Sequence, residues 1–327
     1  MEGPEQRSWA GSGRRGRTAA SPDHGRTGTI VQTTLKKSVA LTGAGLHSGQ
    51  RARVALCPAP AGTGIVFRRI DLDFDDEGGR DPWIPARWDL VEQVPLCTRL
   101  VNADGVSVST VEHLMAALAG CGIHNALIDV SGPELPILDG SSAPFVEAIL
   151  AAGTRLLDAP LRVLRVLRPV EVTTADGASA RLDPADGFEI GFEIDFADAA
   201  IGRQRLRLDM ANGAFVHELC DTRTFCRRAD VETMRAAGLA LGGTLENAVV
   251  VDGAEVLTPG GLRREDEPVR HKMLDALGDL ALAGGPIRGA YTGTRAGHAL
   301  TNRLLRTLFA TEGAWRWEIA EPSFRRR

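Results

Sequence analysis

Apolar residues recur along this chain at two different periods. From Thr110 to Gly120 the residues Val111, Leu114, Met115, Leu118 and Ala119 fall at i, i+3, i+4, i+7 and i+8, one stripe of an α-helix. The stretches Ala143 to Ala152, Val269 to Ala283 and Ala299 to Thr311 also read as helices. Period two governs Phe188, Ile190, Phe192, Ile194 and Phe196, which alternate with mostly polar neighbours and predict a half-buried antiparallel strand. Arg203 to Met210 repeats that alternation. Shorter strands are predicted at Arg53 to Leu56, Asn125 to Val130, Arg162 to Leu167 and Ile287 to Thr292, most of them bounded by glycine or proline.

Residues 110–152 and 268–311 present the same order of helix, short strand and helix, so the chain reads as one plan used twice. The expected fold class is α+β: two similarly folded domains, each a β-sheet layer packed on two helices, with a cleft between them. The stretch Leu157 to Leu161 (LDAPL) follows a helix end with a proline and marks the boundary. The expected division is a disordered Arg/Gly-rich leader at 1–29, a first domain at 30–158, a second at 159–312 and a basic tail at 313–327.

Composition narrows the function. A length of 327 residues suits two domains, and 43% hydrophobic with 24% charged residues excludes a wholly disordered chain. Lys+Arg of 38 against Asp+Glu of 42 gives a net charge of −4, too balanced for a dedicated nucleic-acid binder. The richest apolar runs are interrupted by Glu147 or by Asp275 and Asp279, so no membrane span is expected, and the leader lacks the apolar segment of a secretory signal. Five cysteines without a C-x-x-C pair argue against a disulfide framework or a thiolate zinc cage and point to a reducing cytoplasm. We expect a cytoplasmic monomer whose only membrane contact is peripheral.

The chemistry gathers on two helices. Counted from Val111, Glu112 lies at about 100° and His113 at about 200°, both off the apolar stripe. Counted from His271, Asp275 lies at about 40°, Asp279 at about 80° and Lys272 at about 100°, opposite Met273, Leu274, Leu277 and Ala281. Two bland readings stand beside this one: Ser109-Thr110-Val111-Glu112 fits a capping box, and His271 with Asp275 fits an exposed i, i+4 pair. Taken together, one histidine from the first half and a His/Asp pair from the second make three ligands with a fourth position for water, the layout of a catalytic zinc site. The chain lacks H-E-x-x-H, which removes the ordinary zinc peptidases.

The strings VSTVEHLMAALAGCGIHNALIDVSGPELPILDGSSAPFV, RTFCRRADVETMRAAGLALGG, EDEPVRHKMLDALGDLALAG and AGHALTNRLLR resemble the family of UDP-3-O-acyl-N-acetylglucosamine deacetylases over about Thr33 to Thr311. The resemblance implies metal ligands at His113, His271 and Asp275, a general base at Glu112, and a catalytic histidine at His298. It implies an oxyanion contact at Thr224, with Lys272 and Asp279 in support. Phe225, Cys97, Arg295 and Lys272 are the implied substrate-binding positions, with Cys97 a small groove-lining residue. The implied cofactor is one Zn²⁺, with Fe²⁺ as its alternative in the cell, and the implied substrate is a UDP-linked acylated amino sugar. A related zinc amidase acting on another acetylated sugar is the alternative. Where many relatives continue Thr-Phe with Gly-Phe, this chain has Cys226-Arg227, a departure in the substrate groove. His47, His124, His217 and the Asp139-Gly140 turn are read as structural.

Overall fold

A computed structural model describes residues 29–72 and 79–321; the leader as far as residue 28 and the Arg325-Arg326-Arg327 tail lie outside the described residues. The predicted duplication is present in the sheets. The first half holds a five-stranded sheet in the order Val39–Ala44, Arg51–Pro58, Ala126–Val130, Ile65–Arg69, Trp83–Pro85. The second repeats that order with Val170–Thr173, Ser179–Asp183, Ile287–Thr294, Phe188–Asp195 and Arg203–Asp209. In both, the central strand is antiparallel to the neighbour before it and parallel to the neighbour after it. The long strand Phe188–Asp195 is thus antiparallel only toward Arg203–Asp209; its other edge runs parallel to Ile287–Thr294, which its own alternation could not announce.

Five α-helices occur among the described residues: α1 Glu112–Gly120, α2 Ala143–Ala152, α3 Arg228–Ala236, α4 Glu267–Ala281 and α5 His298–Ala310. Four match the predicted helices to within two residues at each end. The fifth, α3, has no fully buried residue, and its apolar side is only Val231 and Met234, half-buried toward the cleft, too short a stripe to be read as a helix. It packs against a small sheet of Phe225–Arg227, Val249–Asp252 and Glu255–Val256, while a counterpart in the first half comprises Val91–Glu92, Arg99–Val101 and Ser107–Ser109.

Helices α1 and α4 pack face to face across the two halves, and one apolar cluster runs through both, from Leu56, Phe67 and Leu114 to Leu274, Ile190 and Tyr291. The halves therefore share a core. Two expected borders shift accordingly. The 158/159 boundary falls inside the strand Thr154–Pro160, which pairs with Val31–Leu35. The presumed tail begins with a strand, Trp315–Ile319, that closes the second sheet against Arg162–Val166. Its anchor is aromatic: Phe309 stacks on Trp88 at 4.7 Å and meets Trp315 at 4.9 Å.

The approach of α1 to α4 depends on Gly278, where an added Cβ would overlap the carbonyl of Glu112. Backbone cannot swing aside as a side chain can. Gly278→Ala is therefore expected to force the helices apart, costing about 1–3 kcal/mol in stability despite alanine's better helix propensity. Metal content should fall with it, because the two helices carry different members of the expected ligand set, His113 on α1 and His271 and Asp275 on α4. A melting curve with elemental analysis checks both.

Candidate metal centre

The chain enters α1 through Thr110, which holds a left-handed φ of 59°, and the helix begins without a side-chain cap. The capping-box reading fails: Ser109 lies in a strand, and one oxygen of Glu112 instead accepts the Thr98 N–H at 2.9 Å. Glu112 and His113 do leave the stripe of their own helix, yet α4 covers them, and they are only 3% and 4% exposed. His271 and Asp275 are equally enclosed, so the exposed-pair reading fails as well.

Asp275 Oδ1 lies 3.5 Å from His113 Nε2 and 3.4 Å from His271 Nε2, and three ligand atoms of these residues fall within 4.8 Å of one another. Ligands at about 2.0–2.1 Å from a tetrahedral ion sit about 3.3–3.4 Å apart, so these edges suit a metal such as zinc. Asp275 Oδ1 is buried and accepts no hydrogen bond, an orphaned acceptor that a cation would satisfy. The other oxygen accepts Lys272 Nζ at 2.7 Å. Burial opposes ionisation of Asp275, but the Lys272 ammonium outweighs it and holds the carboxyl well below its usual range. Burial pulls His271 down to about 4, leaving the neutral imidazole that ligation needs. Its Nδ1 lies 3.0 Å from the Thr222 carbonyl; donating there frees Nε2 to face Asp275.

Beside this cluster, His298 opens α5, with Nε2 4.0 Å from Glu112 Oε1 and 3.9 Å from Asp275 Oδ2. Its Nδ1 meets Asp279 Oδ2 at 2.8 Å, and Thr98 donates to the other Asp279 oxygen at 2.5 Å. Burial disfavours the imidazolium, but Asp279 and Glu112 prevail and lift His298 to about 9. Burial raises the Glu112 carboxyl, against the pull of His298 and His113. One pair thus unites a buried carboxyl made more basic than usual with a half-buried imidazole lifted to about 9.

Glu112, His113, His271, Lys272, Asp275 and His298 border a cleft of about 820 Å³, as do Thr224 and Phe225. Thr224 is held by its N–H to the Gly140 carbonyl at 2.8 Å, and Phe225 meets Phe196 edge-on at 5.4 Å. Two expected substrate residues are not brought there. Cys97 is buried and absent from the cleft wall, which its neighbours Val94, Pro95 and Leu96 form instead. Burial and nearby Glu112 push its thiol up to about 12, which leaves it no nucleophile. Arg295 is exposed at a strand end, donating to the Asp176 carbonyl at 2.5 Å. Two residues of the site, Thr98 and Glu134, went unread in the sequence, and a third, His47, was read as structural. Thr98 binds Asp279 from 181 positions away, a pairing that no local period encodes. His47 sits on the expected turn but is buried against the cleft, and Glu134 accepts the N–H of that turn.

Residues 32–310 match the family described as UDP-3-O-acyl N-acetylglycosamine deacetylase. A UDP-3-O-acyl-N-acetylglucosamine deacetylase of Shewanella sp. (strain W3-18-1) is 48% identical over 288 residues, covering 88% of this chain and 92% of the relative. The protein of that name from Phenylobacterium zucineum is 50% identical over 287 residues, covering 88% and 96%. That of Anaeromyxobacter sp. (strain Fw109-5) is 50% identical over 285 residues, covering 87% and 90%. With a family match over residues 32–310 and relatives 48–50% identical over about nine-tenths of the chain, this chain belongs to the UDP-3-O-acyl-N-acetylglucosamine deacetylase family.

Proposed function

We infer that the protein hydrolyses the acetamide of UDP-3-O-acyl-N-acetylglucosamine and releases acetate, a step of lipid A biosynthesis. The observation that carries this reading is the convergence of His113, His271 and Asp275 around an unpaired buried carboxylate oxygen, with Glu112 and His298 alongside. Family membership does not favour the alternative of another acetylated sugar.

We propose zinc as the ion, held by those three residues; Fe²⁺ also suits two imidazoles and a carboxylate, and metal analysis of protein purified under argon separates them. When bound, the ion polarises the amide carbonyl and acidifies the attacking water. Glu112 accepts the water's proton as the oxygen attacks the carbonyl carbon. His298, held as the cation by Asp279, faces the negative charge that develops on the carbonyl oxygen, and Thr224 offers a hydrogen bond there. The proton that Glu112 accepted then passes to the amide nitrogen, the C–N bond breaks, and the amine leaves while acetate remains. Lys272 holds Asp275 in place through its 2.7 Å hydrogen bond.

All these groups come from one chain, which supports a functional monomer; sedimentation of the holoenzyme tests it. The five free cysteines suit the reducing cytoplasm. No helix among the described residues is long and apolar enough to cross a membrane, and we keep peripheral contact as the only membrane association proposed.

A fatty chain must bury its methylenes, each worth about 0.8 kcal/mol, so four contribute about 3 kcal/mol. Phe196, Phe225, Val231, Met234, Leu245 and Val250 supply an apolar wall to the cleft. Beside them Arg227 and Arg228 pair with Asp198 and Asp252, so their stems line the wall while their heads are neutralised. Phe225→Ala is expected to lower kcat/KM for the acylated substrate at least tenfold, by about 1.4 kcal/mol, and to spare a de-acylated analogue. Equal kcat/KM for both substrates in the parent enzyme would refute the acyl wall.

A further inference from the structure

Glu134 is a buried carboxylate, 5% exposed, for which the reaction above has no use. Its oxygens nevertheless serve three donors from two segments. Oε1 accepts the His47 N–H at 2.7 Å and the Thr110 hydroxyl at 3.1 Å, while Oε2 accepts the Ser48 N–H at 2.8 Å. Gly45 has no room for a Cβ because this carboxylate occupies the space. Thr110 stands two residues before Glu112 and three before His113, at a φ of 59° that a β-branched residue seldom adopts. Such a conformation persists only where the surroundings over-determine it. The hydroxyl contact with Glu134 is a fixed restraint of that kind, and Thr110 and His47 both line the cleft.

We propose that Glu134 is a positioning residue for the hydrolysis. Through Thr110 it fixes the direction in which the first turn of α1 presents Glu112 and His113, and through the Gly45–Ser48 turn it fixes the opposing wall. The proposal rests on the reading of Glu112 as the base. A glutamine at 134 has one acceptor oxygen where the carboxylate has two, so its amide N–H would confront the N–H of Ser48 or His47 and the clamp would open.

A double-mutant cycle with the zinc-loaded full chain tests it. Glu134→Gln and Thr110→Val, which keeps the side-chain shape and loses the hydroxyl, should each lower kcat by about tenfold or more. KM should stay within about twofold and metal remain stoichiometric, since misplacement by about an ångström costs up to about 100-fold in rate. The double variant should lose no more than the worse single one, because both remove the same contact. Thr110→Ser should recover most of the kcat that Thr110→Val loses. Losses that multiply in the double variant, or single variants with a lower melting temperature and parental kcat, overturn the proposal. If Glu134→Gln does not fold, equal kcat for Thr110→Val and Thr110→Ser overturns it instead. Glu112→Gln is measured separately: parental turnover there defeats the base assignment itself, whatever the cycle shows.

Discussion

His271→Ala is expected to lose bound metal and turnover together. Its Nε2 is one of the three atoms proposed to hold the ion, and the other two, on His113 and Asp275, belong to different halves of the fold. Even outer-sphere partners of a ligand are worth about 10–100-fold in affinity or activity, so a ligand itself should exceed about 100-fold. Global folding should survive, because the ring fills a small part of a core held elsewhere by Met273, Leu274 and Leu277. Elemental analysis after dialysis, paired with an acetate-release assay, reads both losses. A stoichiometric metal content with parental turnover would overturn the ligand set.

Glu112→Ala and His298→Ala are expected to do the reverse, keeping the metal while losing about 100-fold or more in kcat, the usual scale for a general base or an oxyanion group. The pH profile of kcat/KM should be bell-shaped. Its acidic limb requires ionised Glu112, whose carboxyl burial pushes up, so activity falls as pH drops through that raised value. Its alkaline limb requires protonated His298, lifted to about 9 by Asp279 and Glu112 against the cost of burial, so activity falls as pH rises through about 9. Asp279→Asn removes one of the charges that favour the cation and should move the alkaline limb to lower pH. A Glu112→Ala protein that loses its metal and has no separate catalytic defect would make Glu112 a support of the metal site. An alkaline limb that ignores Asp279→Asn would detach His298 from it.

The sequence by itself determined the elements and their faces. Apolar spacing located α1, α2, α4 and α5, and strand alternation located Phe188–Asp195, because burial of one face is a local property of period 3.6 or 2. The same arithmetic put His271, Lys272, Asp275 and Asp279 on one side of α4, and the repeated order of elements announced two like halves. Helix α3 escaped because it buries no side chain fully and its apolar pair, Val231 and Met234, faces the cleft instead of a core. Only the tertiary structure decided which faces meet. Nothing near Gly278 says that its missing Cβ admits the Glu112 carbonyl, and on that approach His113 joins Asp275. Thr98 reaching Asp279, and Glu134 fastening Thr110 to the His47 turn, are likewise contacts between distant segments. Periodicity records how buried a side chain is; its partner is set by close packing of backbones and by hydrogen bonds that buried polar groups cannot forgo.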